Sequence, residues 1–270
     1  MAAEIPKIIH YCWFGGKPLP EKAKQCIRSW RKFCPDYEIK EWNEKNYDLN
    51  SCDYIREAYQ EKKWAFVSDY ARFDILYRYG GLYFDTDVEL IQKIDDIVKR
   101  GPFMGNEIST GALDDTIMIS VATGLGIGAP SGLPLYKEIL DFYHTIHFSG
   151  TGEQKTVVEH ITGLLEKHGY EHKDEIQEIS DVTIYPHTYF SPLNNMTGKL
   201  ELTPDTRSIH HYDASWMNPS GKISIALSRK FADKNKLERR LGAVIALPFR
   251  FANRVRINGL RNTLNHIFSK

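Results

Sequence analysis

The sequence predicts an α/β fold, and three observations carry that prediction. An apolar run from Ile8 to Phe14 stops at Gly15-Gly16, and a helical pattern then leads to a second β-rich run, Tyr37 to Trp42. Farther on, aromatic residues at helical spacing end at Gly80-Gly81, and a short apolar strand runs into Asp85-Thr86-Asp87. Beyond it, β-rich and helical stretches continue to alternate, which is the pattern of a sheet covered by helices.

Taken in order, Ile8 to Phe14 reads as a buried first strand. Pro20 suits the first turn of the helix that follows, with Ala23, Cys26, Ile27 and Trp30 on one face. Tyr37 to Trp42 completes a strand–helix–strand unit. A helical region spans about Asp53 to Tyr79, where Phe66, Tyr70, Phe73 and Tyr77 recur at spacings of four, three and four. Gly80-Gly81 supplies the left-handed residue that closes a helix. Ile117 to Ile127 is β-rich, with glycines at 124, 126 and 128 punctuating it and its end. Pro134 to His147 and Glu153 to Lys167 read as helices, and Val182 to Tyr185 as a short strand. No internal repeat or low-complexity linker divides the chain. The expectation is one α/β domain over residues 1–228 and a basic helical tail over 229–270.

The chemistry is concentrated at Asp85 and Asp87. In an extended segment side chains repeat every two residues, so both carboxylates face one way and repel each other unless a cation lies between them. They follow a buried strand, where α/β sheets bind ligands. That suits a hard divalent ion, Mn²⁺ or Mg²⁺, shared with the oxygens of a phosphorylated substrate. Just upstream, Ser68, Asp69 and Arg72 fall on one helix face. That face is either a solvated Asp–Arg pair or part of the ligand site.

The order Ser68-Asp69-x-x-Arg72, then Tyr79-Gly80-Gly81-Leu82-Tyr83-Phe84-Asp85-Thr86-Asp87, resembles the Asp-x-Asp region of glycosyltransferase family 32. That family includes bacterial capsular-polysaccharide enzymes and the initiating mannosyltransferase of yeast outer chains, and the arrangement is similar to the glucosyltransferase domain of large bacterial cytotoxins. Ile5 to Gly15 resembles the family's opening strand. Tyr189-Phe190-Ser191-Pro192 and Thr206 to Trp216 resemble its closing motif. The likeness covers about residues 5–216. It implies a Rossmann-like domain of the GT-A type and a retaining, metal-dependent transfer from a nucleotide-diphosphate sugar, UDP-sugar favoured. The acceptor it implies is a glycan or lipid-linked glycan in surface polysaccharide synthesis.

The resemblance also implies roles. Asp85 and Asp87 would hold the metal with His211, which precedes an aromatic residue, and His210 is the fallback. Ser68, Asp69 and Arg72 would hold the donor's base, ribose and sugar. Trp13 would stack on the base, the alternative being a core tryptophan at a strand end. Tyr83 is core or a ligand contact. Ser215 and Trp216 would meet the phosphates or sugar, and Gly126-Ile127-Gly128-Ala129 resembles a segment near the transferred sugar. Asp85, Asp87 and Arg72 are the catalytic candidates, and no covalent nucleophile is implied. A phosphatase of the haloacid-dehalogenase type also ends a strand in Asp-x-Asp. Its motif usually opens the chain, however, and carries Thr or Val where this sequence has Glu89. A non-catalytic sugar-binding protein on the same fold is the third reading.

Composition is close to that of an ordinary soluble protein, with 42% hydrophobic and 26% charged residues. The sequence has no spanning apolar run and no signal-like N-terminus, so a cytoplasmic location is expected and the sequon Asn195-Met196-Thr197 reads as accidental. Cys12, Cys26, Cys34 and Cys52 form no Cys-x-x-Cys pair and read as buried free thiols. The neutral total hides an asymmetry. Residues 229–270 hold eleven of the 35 Lys and Arg but only two of the 35 acids, a balance of +9. Such a tail points to an anionic partner, and its apolar residues suit either a membrane surface or packing on the catalytic domain. No nucleic-acid partner is expected.

Overall fold

In the computed structural model of the chain, the residues described are 4–110, 117–149, 154–195, 197–213, 219–231 and 236–258. Strand β1 (Ile8–Cys12), helix α1 (Glu21–Phe33) and strand β2 (Glu38–Trp42) form the expected strand–helix–strand unit, with β1 and β2 parallel. The helical region after it is two helices, α2 (Asp53–Gln60) and α3 (Trp64–Tyr79). Lys62 parts them by adopting the left-handed conformation, with φ at 57°. Gly80 caps α3 with φ at 64° and leads into β3 (Gly81–Tyr83), which runs parallel to β1 on the side away from β2.

The chain continues through β4 (Val88–Leu90), α4 (Asp95–Val98), β5 (Phe103–Thr110), β6 (Ile117–Ala122) and β7 (Ile127–Ala129). Helix α5 (Pro134–Tyr143) stops short of His147. Helix α6 (Val157–Glu166) starts at a capping box between Thr156 and Glu159, later than Glu153. There follow β8 (Gln177–Ile179), β9 (Val182–Tyr185), α7 (His187–Phe190), β10 (Ser208–His210), α8 (Pro219–Phe231) and α9 (Lys236–Asn258).

The main sheet has the order β2-β1-β3-β7-β5-β9-β8, with β6 paired to β5, and β4 and β10 form a separate antiparallel pair. The sheet is mixed: β2, β1 and β3 are parallel, whereas β7 is antiparallel to both β3 and β5. Alternation along β1 sends Ile9 and Tyr11 to one face and Cys12 to the other. One face packs against α1, α4 and α7 through Ile27, Trp30, Ile97 and Phe190. The opposite face packs against α2, α3, α5 and α6 through Ile55, Phe73, Ile139 and Ile161. The sheet is therefore covered on both sides. The cysteines are free and buried, and burial pushes the thiols of Cys12, Cys26 and Cys34 up to about 12.

Helix α8 runs across residue 228, so the expected boundary falls inside a helix. Helix α9 passes through Pro248 without ending there. No helix among the described residues is long and apolar enough to cross a membrane.

Candidate metal and donor site

The Asp-x-Asp segment leaves the sheet before its first carboxylate. Strand β3 ends at Tyr83, and the Val88 N–H donates to the Asp85 carbonyl at 3.1 Å, so Asp85 to Val88 form a turn and not an extended strand. The two aspartates come together through this turn, where the sequence suggested strand alternation. Helix α1 fixes its far end: Trp30 Nε1 donates to the Val88 carbonyl at 2.8 Å, and Leu90 N donates to Ser29 Oγ at 2.9 Å.

Each carboxylate is oriented through separate partners. Asp85 Oδ1 accepts from Tyr83 Oη at 3.0 Å and from an Arg72 guanidinium nitrogen at 3.3 Å. Asp85 N donates to the Gly124 carbonyl at 3.0 Å. Asp87 Oδ2 accepts from the Asp213 N–H at 2.9 Å, and Asp87 Oδ1 lies 3.2 Å from His210 Nε2. Burial works against the Asp87 charge, but His210 and the Asp213 N–H outweigh it and hold the carboxyl well below the usual range. His210 moves the opposite way: burial opposes its proton, and Asp87 beside it raises its pKa.

Asp85, Asp87 and His210 together offer ligand atoms that all lie within 4.8 Å of one another. This group contains His210, not the expected His211. Strand β10 pairs with β4 so that His210 lies opposite Val88, which turns its ring towards Asp87. The next side chain faces away, and His211 Nε2 bonds Glu89 at 2.8 Å. The donor set of two carboxylates and an imidazole suits Mn²⁺ or Mg²⁺. His210 Nδ1 fits that reading, because it is buried without a hydrogen-bond partner among the described residues.

Arg72 lies beneath the pair, 3% exposed. It donates to the Ser68 carbonyl at 3.1 Å and to Thr123 Oγ1 at 2.9 Å, and pairs with Asp69 at 3.0 Å as well as with Asp85. Its guanidinium also covers the Tyr83 ring at 5.0 Å. These contacts tie the Arg72 guanidinium to Asp85 and Asp69. Burial pushes the Asp69 carboxyl up to about 7, with Arg72 pulling against it. Ser68 Oγ bonds back to the Trp64 carbonyl at 3.1 Å. Tyr83 is core, fully buried, and its hydroxyl bonds Asp85.

Trp13 stands half-buried just past β1, with Nε1 donating to the Lys17 carbonyl at 2.6 Å. Gly15, at φ 93°, lies so close to Trp64 that a Cβ would meet the indole Nε1 at 2.6 Å. That brings Trp64, which carried no expected role, beside the same strand end. Within the segment Gly126 to Ala129, Ile127–Ala129 form β7, which pairs directly with β3. Ser215 and Trp216 lie outside the described residues. Thr123 escaped the sequence reading and Gly124 was read only as punctuation, because their contacts with Arg72 and Asp85 join distant segments.

Comparison with known proteins bears on this geometry. Residues 20–104 match the family described as the glycosyltransferase sugar-binding region containing a DXD motif. That segment includes α3, Asp85 and Asp87. Inositol phosphoceramide mannosyltransferase 3 of Schizosaccharomyces pombe is 28% identical over 151 residues, covering 54% of this chain and 40% of that protein. Inositol phosphoceramide mannosyltransferase 1 of the same yeast is 27% identical over 112 residues, covering 37% and 34%. The chain spans less than half the length of either relative. The solved structure of the PaToxG glycosyltransferase superposes with a TM-score of 0.43 at 17% identity, covering 62% of this chain and 70% of that one.

Proposed function

We propose that the chain is a metal-dependent glycosyltransferase of the GT-A type. In this reading it moves a sugar from a nucleotide-diphosphate donor, UDP-sugar favoured, to a glycan or lipid-linked acceptor with retention of anomeric configuration. The observation that carries the reading is the convergence of Asp85, Asp87 and His210 on one point. Asp87 and His210 would be direct ligands, and Asp85 a ligand directly or through water. When bound there, Mn²⁺ or Mg²⁺ would supply Lewis-acid neutralisation of the charge that develops on the departing diphosphate. Arg72 and Tyr83 hold Asp85 by Oδ1, which fixes its carboxylate without side-chain reorganisation during transfer. Trp13 supplies a half-buried aromatic face for the base, and Ser68 and Asp69 line the donor side. Ser215 and Trp216 would complete the site around the phosphates.

The relatives' names add mannose to the candidates for the transferred sugar, and inositol phosphoceramide to the candidate acceptors. A capsular or other surface glycan remains the acceptor that the family resemblance implies. A lipid-linked acceptor gives the basic tail a role on an anionic membrane surface, with the enzyme on the cytoplasmic side.

A thermal-shift screen with UDP- and GDP-sugars, each with and without Mn²⁺, tests the donor, because bound ligand raises stability by mass action. A shift that needs both nucleotide sugar and Mn²⁺ is expected. Asp85→Asn and Asp87→Asn should each abolish transfer and donor hydrolysis while circular dichroism stays unchanged, Asp87→Asn more completely. Near-normal turnover in either variant at saturating Mn²⁺ would remove the metal assignment.

A further inference from the structure

Tyr212 adopts a backbone conformation that a tyrosine seldom takes, with φ at 50°. Strained positions of this kind persist where surrounding contacts over-determine them, and they gather at functional sites. Here the contacts are specific. The Tyr212 hydroxyl donates to Glu107 Oε2 at 3.1 Å and is bonded to Ser191 Oγ at 2.6 Å. Ser191 is buried and follows α7, whereas Glu107 belongs to β5, so three separate segments meet on one hydroxyl.

The left-handed turn folds the phenol ring back onto the residue two before it. The rings of His210 and Tyr212 lie 4.1 Å apart, centroid to centroid, at 50°. In an extended strand such neighbours stand about 6.5 to 7 Å apart, so the turn is what closes the contact. The imidazole otherwise meets Asp87 through Nε2 and has no partner at Nδ1 among the described residues. A ring held by one polar contact needs a packed face to keep its orientation.

We propose that Tyr212, clamped by Glu107 and Ser191, is a positioning residue that sets the His210 imidazole for a divalent cation. The proposal rests on the metal reading of Asp85, Asp87 and His210. It assigns work to residues outside the ligand set and explains why the chain tolerates strain at Tyr212. Removing the hydroxyl frees the ring from Glu107 and Ser191, and the imidazole it covers loses its fixed orientation. Glu107→Gln keeps an acceptor for that hydroxyl and should be mild.

The test is Mn²⁺ binding to the full chain, followed by electron paramagnetic resonance with saturating UDP, for wild type, Tyr212→Phe, His210→Ala, the double variant and Asp87→Asn. Tyr212→Phe should weaken Mn²⁺ about ten- to a hundredfold, the usual effect of losing an outer partner of a metal ligand. Its turnover should recover as Mn²⁺ is raised, which a merely structural defect would not do. The double variant should bind Mn²⁺ no worse than His210→Ala, because Tyr212 acts through that ring. Wild-type affinity in Tyr212→Phe, or losses that add in the double variant, would overturn the clamp while leaving the metal reading intact. Unchanged Mn²⁺ binding in Asp87→Asn, or none in wild type, would overturn both.

Discussion

Asp85 occupies its position because residue 124 is glycine. A Cβ there would lie 2.0 Å from Asp85 Oδ2, far inside contact distance. Gly124→Ala should therefore displace the carboxylate and lower kcat by roughly a hundredfold, the scale of a 1 Å misplacement at a reacting centre. Gly163, in the interior of α6, is the control, since nothing lies within 4 Å of its added Cβ. Gly163→Ala should leave kcat unchanged and stabilise by about 0.4–1 kcal/mol in a denaturant titration. Equal kcat in the two variants would mean that Gly124 merely shapes a loop. Arg72→Ala tests the support beneath. It strands two carboxylates, Asp69 and Asp85, of which Asp69 is deeply buried, and should cost about 3–5 kcal/mol as well as activity. Loss of activity at full stability would return Arg72 to the transferred sugar. None of this was legible residue by residue. The sequence located Asp85, Asp87, Asp69 and Arg72 as a group, but which groups they touch depends on Thr123 and Gly124, about 35 to 55 positions later in the chain.

The elements were the most legible level, because helical spacing and strand runs are local properties. Strands β1, β2 and β9 and helices α1 and α3 lie where periodicity put them, to within a few residues at their ends. The Asp-x-Asp turn was missed because a turn closed by the Val88 N–H carries no glycine or proline of its own. The choice between His210 and His211 required the register of β10 on β4, a long-range pairing invisible in the sequence. Strand β1 carries its own pH signature in His10, which has no exposed surface. Its Nδ1 accepts from Trp42 Nε1 at 3.0 Å, so its Nε2 is the protonated nitrogen, donating to the Gly80 carbonyl at 2.9 Å. Burial lowers its pKa from 6.5 to about 4, with the nearby Lys40 charge in support and the Gly80 bond opposing. Between those two values the unfolded chain binds a proton that the folded one excludes. The stabilisation is thus complete above pH 6.5 and is lost as pH falls towards 4, a difference on the order of 3 kcal/mol. His10→Gln should flatten the fall of melting temperature over that window relative to wild type. Parallel curves for the two proteins would show that His10 is protonated in the fold.

At the scale of the whole molecule, charge and exposed apolar surface coincide in the C-terminal helices. Helices α8 and α9 pack closely, since Gly242 lies under the Phe231 ring and Ala246 is fully buried. The opposite side of α9 is open: Leu241 is 55% and Val244 58% exposed, with Ile245, Leu247 and Phe251 also exposed. Leu241, Val244, Ile245, Pro248 and Phe251 follow helical spacing and form one stripe. The sequence reading left two occupants for such a stripe, and this exposure weighs against packing on the catalytic domain. A second copy of the chain is disfavoured as well, because residues 229–270 carry a balance of +9 and would repel themselves. An anionic bilayer satisfies both features, with each Lys or Arg near its surface contributing about 1 kcal/mol. The protein should therefore sediment with vesicles containing phosphatidylserine, bind neutral vesicles much less, and release as NaCl rises to 0.5 M. Because Leu241 and Val244 face solvent, the Leu241→Glu, Val244→Glu double variant should keep its melting temperature while losing at least about tenfold in vesicle affinity. Two outcomes would sink the membrane role: vesicle binding by the double variant equal to wild type, or concentration-dependent self-association that this variant abolishes, which would give the stripe to a second copy.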